Sequence, residues 1–386
     1  MHEVRVNRRA ARRVAAGHLW IFQSDVVDTG GAEAGAAVHV VDLKGRSLGT
    51  AHFSAASQIA LRMLSGRVEE IGGEFFAQRL AAAEAHRRRV VHGTDAYRVV
   101  HGEGDLLPGL VVDRYADYLV LQTLNQGMDG IRESIVASLV EMFSPRGIVA
   151  RNDAAVRLRE ALPLESGVVY GDLPDSVEFR MNGLRLHADL LHGQKTGAFL
   201  DQRENYVAAA RHARGKALDC FSCTGGFALH LAPVCESVEA LDSSGAALAT
   251  AARNAALNGI SNIEFREADV FVVLAAYSSA RRQFQTVILD PPAFAKSRST
   301  VEDALRGYKE INLRALRLLG PGGILVTCSC SQRVGEAVFL ELLAQASLDA
   351  GRRLRVLERR TQAPDHPILL TVPETHYLKC LILEVI

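Results

Sequence analysis

Four acids and a short cysteine motif carry most of the chemistry legible in this 386-residue chain. Residues Thr286–Phe294 read Thr-Val-Ile-Leu-Asp-Pro-Pro-Ala-Phe, an apolar run that ends in a carboxylate. Proline cannot donate to a sheet ladder, so Pro291 and Pro292 end the strand and leave Asp290 at its carboxyl edge. In open α/β sheets that edge is where ligands bind. A planar nucleobase would find an acceptor in Asp290 and a stacking face in Phe294. Upstream, an apolar strand runs into Asp219-Cys-Phe-Ser-Cys-Thr-Gly-Gly-Phe227. Gly225 and Gly226 permit close backbone approach, and the N–H groups of a helix start follow at once. The loop is neither the dinucleotide G-x-G-x-x-G nor a Walker loop with its lysine.

Asp242 ends the next apolar run, 23 residues after Asp219. A carboxylate there can accept both hydroxyls of a ribose. Asp269 follows a third run and is placed to accept from an adenine amino group. Each acid alone reads as a helix cap or a surface turn. Three of them at successive strand ends, beside a Gly-Gly loop, point to a nucleoside cofactor without a pyrophosphate, and S-adenosylmethionine fits. Cys220-x-x-Cys223 and Cys328-x-Cys330 raise the alternative of a zinc site. In a doubly wound sheet the fourth strand separates the first from the fifth, holding them about 9–10 Å apart. Zinc thiolates must converge to roughly 2.3 Å from one ion. The expectation is therefore no metal.

These residues need a scaffold, and the strand signals supply one. Lys216–Cys220, Val238–Asp242, Ile263–Arg266, Thr286–Asp290 and Gly323–Cys328 alternate with helical segments, the signature of a parallel doubly wound sheet. Leu354–Glu358 and Tyr377–Val385 are expected to add an edge hairpin. Ahead of them, Tyr97–Val100, Gly109–Asp113, Tyr118–Thr123, a helix at Gly130–Phe143 and a strand at Gly147–Arg151 suggest a compact α+β unit. Asn182-Gly183 between apolar runs predicts a hairpin. The first block carries short strands at Ala37–Leu43, Ser47–Ala51 and Ile59–Leu64, as in a small barrel or sandwich, and Glu74–Val91 reads as a connecting helix. Expected domains are 1–70, 71–188 and 189–386.

Apolar content of 48% and charged content of 23% describe an ordinary globular chain. No apolar run reaches the roughly 18 residues a membrane span needs, and the Arg-rich start lacks a secretory apolar region. Both absences, with six cysteines read as reduced thiols, point to the cytoplasm. Lys plus Arg and Asp plus Glu are each 44, so net charge names no partner. Basic residues cluster locally, as at Arg5, Arg8, Arg9, Arg12 and Arg13.

The chain resembles the class I S-adenosylmethionine-dependent methyltransferases. More narrowly it is similar to the ribosomal RNA cytosine-5 methyltransferases, of the large-subunit type, that carry an N-terminal PUA domain. The likeness rests on Gly17-His18-Leu19-Trp20-Ile21-Phe22, Gly102–Leu110, Asp113-Arg114-Tyr115, Gly193–Arg203, Arg306-Gly307-Tyr308-Lys309, Thr327-Cys328-Ser329-Cys330-Ser331 and Asp365-His366-Pro367. Ala293 departs from the pattern, standing where a lysine often follows the two prolines.

The resemblance implies three domains: a small β PUA fold, a central α+β domain and a Rossmann-like catalytic domain. It implies methyl transfer to carbon 5 of a cytosine in large-subunit ribosomal RNA through a covalent thiol adduct, with Cys330 as nucleophile and Asp290 holding the base. Cys328, still on the strand, reads as core. The implied cofactor set is Gln194, Lys195, Thr196, Phe199, Asp219, Phe221, Thr224, Gly225, Gly226, Asp242, Ser243, Asp269, Val270, Asp290 and Pro291. RNA contacts are expected from Arg8, Arg12, Phe294, Lys296 and His366. Asp201 with Glu204 also reads as a capping box for a helix over Asn205–Arg214. Two other readings stay open: methylation of an exocyclic amine, which needs no cysteine, and a non-catalytic RNA-binding assembly factor. The oligomeric state, monomer or homodimer, is open as well.

Overall fold

The computed structural model describes residues 1–193, 195–294 and 301–386. They part into two compact units. The first comprises Met1–Gly183, Ala188–Leu200 and Pro364–Thr375; the second comprises Leu184–His187, Asp201–Ala363 and His376–Ile386.

Two sheets make up most of the first unit. The six-stranded one runs Trp20–Phe22, Ile59–Ser65, Ser47–Phe53, Ala37–Val41, His2–Val6 and Val26–Asp28 in spatial order. The five-stranded one runs Glu165–Gly171, Gly147–Asn152, Tyr118–Thr123, Leu110–Tyr115 and Ala96–His101. Each has its own apolar cluster. The break expected near residue 70 is bridged by a buried ion pair. Arg62 reaches Glu160 at 2.6 Å, and Glu160 also accepts from the Ser54 hydroxyl at 2.7 Å.

The break expected at 189 is crossed in the same way. Arg151 donates to the carbonyls of Leu190 and Gly193, and the Thr196 hydroxyl donates to Asp113 at 2.6 Å. Pro364–Thr375 is held through Asp365. Its carbonyl accepts from Arg87, and its carboxylate accepts from the Arg98 amide at 2.9 Å. Buried ionic and amide partners, absent from any periodicity pattern, thus decide where the units divide. The Asn-Gly hairpin forms between Val177–Met181 and Leu184–Ala188, with Asn182 and Gly183 both left-handed at φ 52° and 84°.

The second unit is built on seven strands: β1 Lys216–Cys220, β2 Ser237–Asp242, β3 Ile263–Glu267, β4 Phe284–Leu289, β5 Leu319–Ser329, β6 Leu354–Arg360 and β7 Lys379–Val385. Their spatial order is β3-β2-β1-β4-β5-β7-β6. The first five pair in parallel, while β7 inserts antiparallel between β5 and β6. α1 Arg203–His212 precedes β1, and between the strands run α2 Gly226–Leu231, α3 Gly245–Leu257, α4 Val270–Ser279, α5 Val301–Arg317 and α6 Glu336–Asp349. The central strands are apolar on both faces because helices cover both. Leu218, Val287, Leu289, Leu325 and Leu381 join one core with Leu274, Ile311, Leu316 and Phe339 from the helices. Burial of such side chains stabilises by about 1.5–3 kcal/mol each. The order puts the carboxyl ends of β1, β2, β4 and β5 along one edge, with β4 between β1 and β5.

Candidate active site

The loop after β1 is strained by design of its sequence. Phe221 and Cys223 take left-handed backbone at φ 65° and 49°, and Gly225 follows at 86°. For a residue with a Cβ such a conformation costs of order 1–3 kcal/mol and persists only when neighbours enforce it. Here two carboxylates do. Asp242 accepts from the Cys223 amide at 2.8 Å and the Ser244 amide at 2.9 Å. Asp219 accepts from the Ser222 hydroxyl at 2.7 Å and the Ala228 amide at 3.0 Å. Asp219 is fully buried, and its other oxygen has no hydrogen-bond partner among the described residues. Burial pushes its carboxyl up to about 6, with the nearby Asp242 charge adding to the rise.

The glycine pair serves internal packing. A Cβ on Gly226 would lie 2.4 Å from the Tyr206 hydroxyl, and one on Gly225 would lie 3.0 Å from Ala251. Asp269 caps α4, accepting from the amides of Phe271 and Val272. The side chain of Val270 is 2% exposed and belongs to the core, which leaves it no surface to offer a ligand. Ser243 is exposed and Thr224 half-buried.

At the end of β4, Asp290 accepts from the Gln202 side chain at 3.0 Å, a partner within the Gly193–Arg203 motif that sequence reasoning did not single out. Pro291 is buried, and its carbonyl lies 3.9 Å from the Cys330 sulfur. Cys330, half-buried, stands immediately beyond β5, whereas Cys328 is fully buried on the strand. Phe294 packs against Tyr308 at 4.7 Å between ring centroids, with Phe271 at 5.9 Å and Phe221 at 6.5 Å. It is thus part of an aromatic cluster and only half-exposed. Among the described residues no group of three or more His, Cys, Asp or Glu is set to hold a metal.

Several expected site residues belong to the first unit. Lys195, Thr196 and Phe199 belong to the first unit, where the Lys195 ammonium sits 4.1 Å from the Phe199 ring centroid and Thr196 is buried on Asp113. His366 also lies there, 2% exposed, beside Asp365 and 5.1 Å from the His101 ring; that burial removes it from any RNA-facing surface. Arg8 and Arg12 are exposed on the helix Arg8–Ala15. Their neighbours Arg9 and Arg13 instead clamp the buried Asp25 at 2.9 and 3.1 Å. The capping box does not form: α1 starts at Arg203, two residues earlier than expected, and Asp201 accepts from the Tyr377 hydroxyl. Gln194 and Lys296 lie outside the described residues.

A strand order of 3-2-1-4-5-7-6, with acids at the carboxyl ends of β1, β2 and β4, defines a Rossmann-like nucleoside-binding domain. The family comparison is consistent with that class. Residues 155–383 match the S-adenosylmethionine-dependent methyltransferase model, and residues 4–66 match a PUA-like domain. The chain therefore belongs to the S-adenosylmethionine-dependent methyltransferases, joined to an N-terminal PUA-like domain. It is 41% identical over 378 residues to the ribosomal RNA large subunit methyltransferase I of Shewanella denitrificans, covering 95% of each chain. The protein of the same name from Shewanella amazonensis is 42% identical over 377 residues, again 95% of each. Among solved structures, SMU.776 complexed with SAH aligns over 100% of both chains with a TM-score of 0.87 and 20% identity, a likeness of fold alone.

The cofactor is S-adenosylmethionine, and the residues present fit a cationic nucleoside. Asp219 holds a buried oxygen with no partner among the described residues, Asp242 ends β2 at the same sheet edge, and Phe221 and Phe271 offer apolar faces.

Proposed function

We propose that this chain methylates carbon 5 of a cytosine in large-subunit ribosomal RNA, with Cys330 as the nucleophile. The relatives' shared name supports the RNA, and the PUA-like domain supports an RNA partner. The observation that carries the chemistry is the juxtaposition of Cys330 with Pro291, which sets a half-buried thiol at the same sheet edge as Asp290.

Carbon 5 of cytosine is a weak nucleophile. Addition of the Cys330 thiolate to C6 forms an S–C6 bond and moves electron density to C5. Bound S-adenosylmethionine supplies the electrophilic methyl group. Asp290 accepts from the exocyclic amine and so holds the ring over the thiol. A base then removes the C5 proton, the C5–C6 double bond returns, and the S–C6 bond breaks to release the thiolate. Asp219, Asp242 and the Phe221–Gly226 loop hold the cofactor. Lys195, Thr196 and Phe199 are assigned to the cofactor, and Arg8 and Arg12 to RNA phosphates.

RNA carrying 5-fluorocytosine tests this, because fluorine at C5 cannot leave as a proton and the adduct persists. Mass spectrometry is expected to find the RNA on the peptide containing Cys330, and Cys330→Ala is expected to lose both adduct and turnover. Full turnover by Cys330→Ala sinks the thiol mechanism in favour of amine methylation.

A further inference from the structure

A thiol near pH 7 attacks only through its small thiolate fraction, so a cysteine nucleophile needs a cation or dipole close by. The strand β7 opens with such a cation in an unusual place. Lys379 is 4% exposed and begins the otherwise apolar run Lys-Cys-Leu-Ile-Leu. Lysine is almost never fully buried unless it is paired. Its ammonium donates to the carbonyl of Ser331 at 2.7 Å and to that of Tyr377 at 2.9 Å.

The register explains why the charge is there. β5 and β7 pair antiparallel with Cys328 opposite Cys380 and Ser329 opposite Lys379. The lysine therefore flanks the last residue of β5, and Cys330 is the next residue along. Ser331, whose carbonyl the ammonium holds, follows directly and is fixed from the other side by the Tyr308 hydroxyl at 3.0 Å. Cys330 is bracketed by two anchored neighbours, one of them anchored by a positive charge. Two carbonyl acceptors would have been satisfied equally by a neutral donor, so hydrogen bonding alone does not account for a buried ammonium.

We propose that Lys379 is the positioning residue that keeps Cys330 in its thiolate form. The inference rests on the reading of Cys330 as nucleophile. The thiol proton leaves for solvent, and the ammonium keeps its own protons and compensates the sulfur's charge. Burial pulls the lysine down to about 8, while Cys330 and Glu336 push it back up, so the charge is largely present at neutral pH. Glu336 of α6 is itself ion-paired to Arg359 of β6 at 2.8 Å. Tyr308 of α5 is pushed above the usual phenol range, chiefly by burial, and the Cys330 charge contributes to that rise. Asp290 stands at the end of β4, on the same sheet edge as the thiol.

The test is the pH profile of iodoacetamide alkylation at Cys330, read by mass spectrometry on the full chain. In the wild type the midpoint is expected below the ordinary thiol value of about 8.5. Lys379→Met is expected to raise it by roughly one unit or more, slowing alkylation at pH 7 about tenfold. Lys379→Arg, which keeps charge and donors, should restore most of the rate. A wild-type midpoint at or above the ordinary value overturns the proposal without any variant, as does an unshifted midpoint in a folded Lys379→Met protein. An RNA adduct at Cys330 with an unshifted midpoint rejects the lysine and spares the nucleophile. A shifted midpoint with no adduct rejects the nucleophile and spares the lysine's hold on the thiol.

Discussion

Asp219→Asn isolates what the carboxylate under the β1 loop contributes. The acid is fully buried, and its carboxyl is raised from 3.8 to about 6, mainly by burial. A raised acid binds its proton more tightly in the folded state. Its stabilising contribution is complete below the unfolded value and is lost as pH rises through the folded one. A rise of this size corresponds to roughly 3 kcal/mol. The wild type should therefore lose about that much protection, relative to the asparagine variant, between pH 4 and pH 6.5, with a plateau above. Asparagine adds a constant offset, because its buried amide lacks the partner that one oxygen of Asp219 also lacks. Hydrogen exchange on peptides of β1 gives a local readout, comparing the two proteins at each pH so that intrinsic exchange cancels. The single tryptophan, Trp20, belongs to the first unit, so its fluorescence does not report on β1. A difference that stays flat from pH 4 to pH 7 would refute a carboxyl raised by burial.

Two further outcomes follow from packing and charge. Gly226→Ala drives a methyl into Tyr206, which is 6% exposed and wedged against Phe227 and His230, so thermal denaturation should show a loss of about 1–3 kcal/mol; wild-type stability would mean the ring can yield. Replacing Arg8 and Arg12 together by Gln should leave stability within about 0.5 kcal/mol. The same change should flatten the slope of log affinity for RNA against log salt by nearly two, and an unchanged slope removes the helix from the RNA contact.

Much of the catalytic sheet was legible because its central strands are buried on both faces and read as apolar runs. Lys216–Cys220 matches β1 at both ends, and the other six strands agree within a few residues. The first unit was harder. Strands of three residues, Trp20–Phe22 and Val26–Asp28, are too short to show a period, and Glu165–Gly171 is largely exposed. The helix Arg8–Ala15 was read only as a basic cluster, although Asn7 caps it by accepting from the Ala10 amide. An asparagine ahead of Arg-Arg-Ala-Ala was an available start signal. Lys379 left a fainter trace, a lone cation opening an apolar strand, and its meaning depends on a register that no local pattern carries.

The acids at the sheet edge were read as ligand acceptors from their position, and in the structure they hold the loop after β1. Asp219 accepts two hydrogen bonds from the segment Ser222–Ala228 and Asp242 accepts one, from the Cys223 amide, and those bonds hold the left-handed residues of the loop. A loop ordered in this way has lost its conformational entropy at folding, before any ligand arrives. A carboxylate oxygen has two lone pairs, so an oxygen that holds an amide still has capacity for a hydroxyl. The reading of these acids as caps and the reading of them as ligand acceptors are therefore compatible, and the first makes the second cheaper. The same logic extends to β5. Cys330 inherits its place from a strand end, its neighbour Ser331 is fixed from two sides, and Asp290 is fixed by Gln202. Reacting groups held by separate strands of one rigid sheet need little reorganisation when substrate binds, which is the condition under which fixed charge and dipoles act most strongly on a transition state.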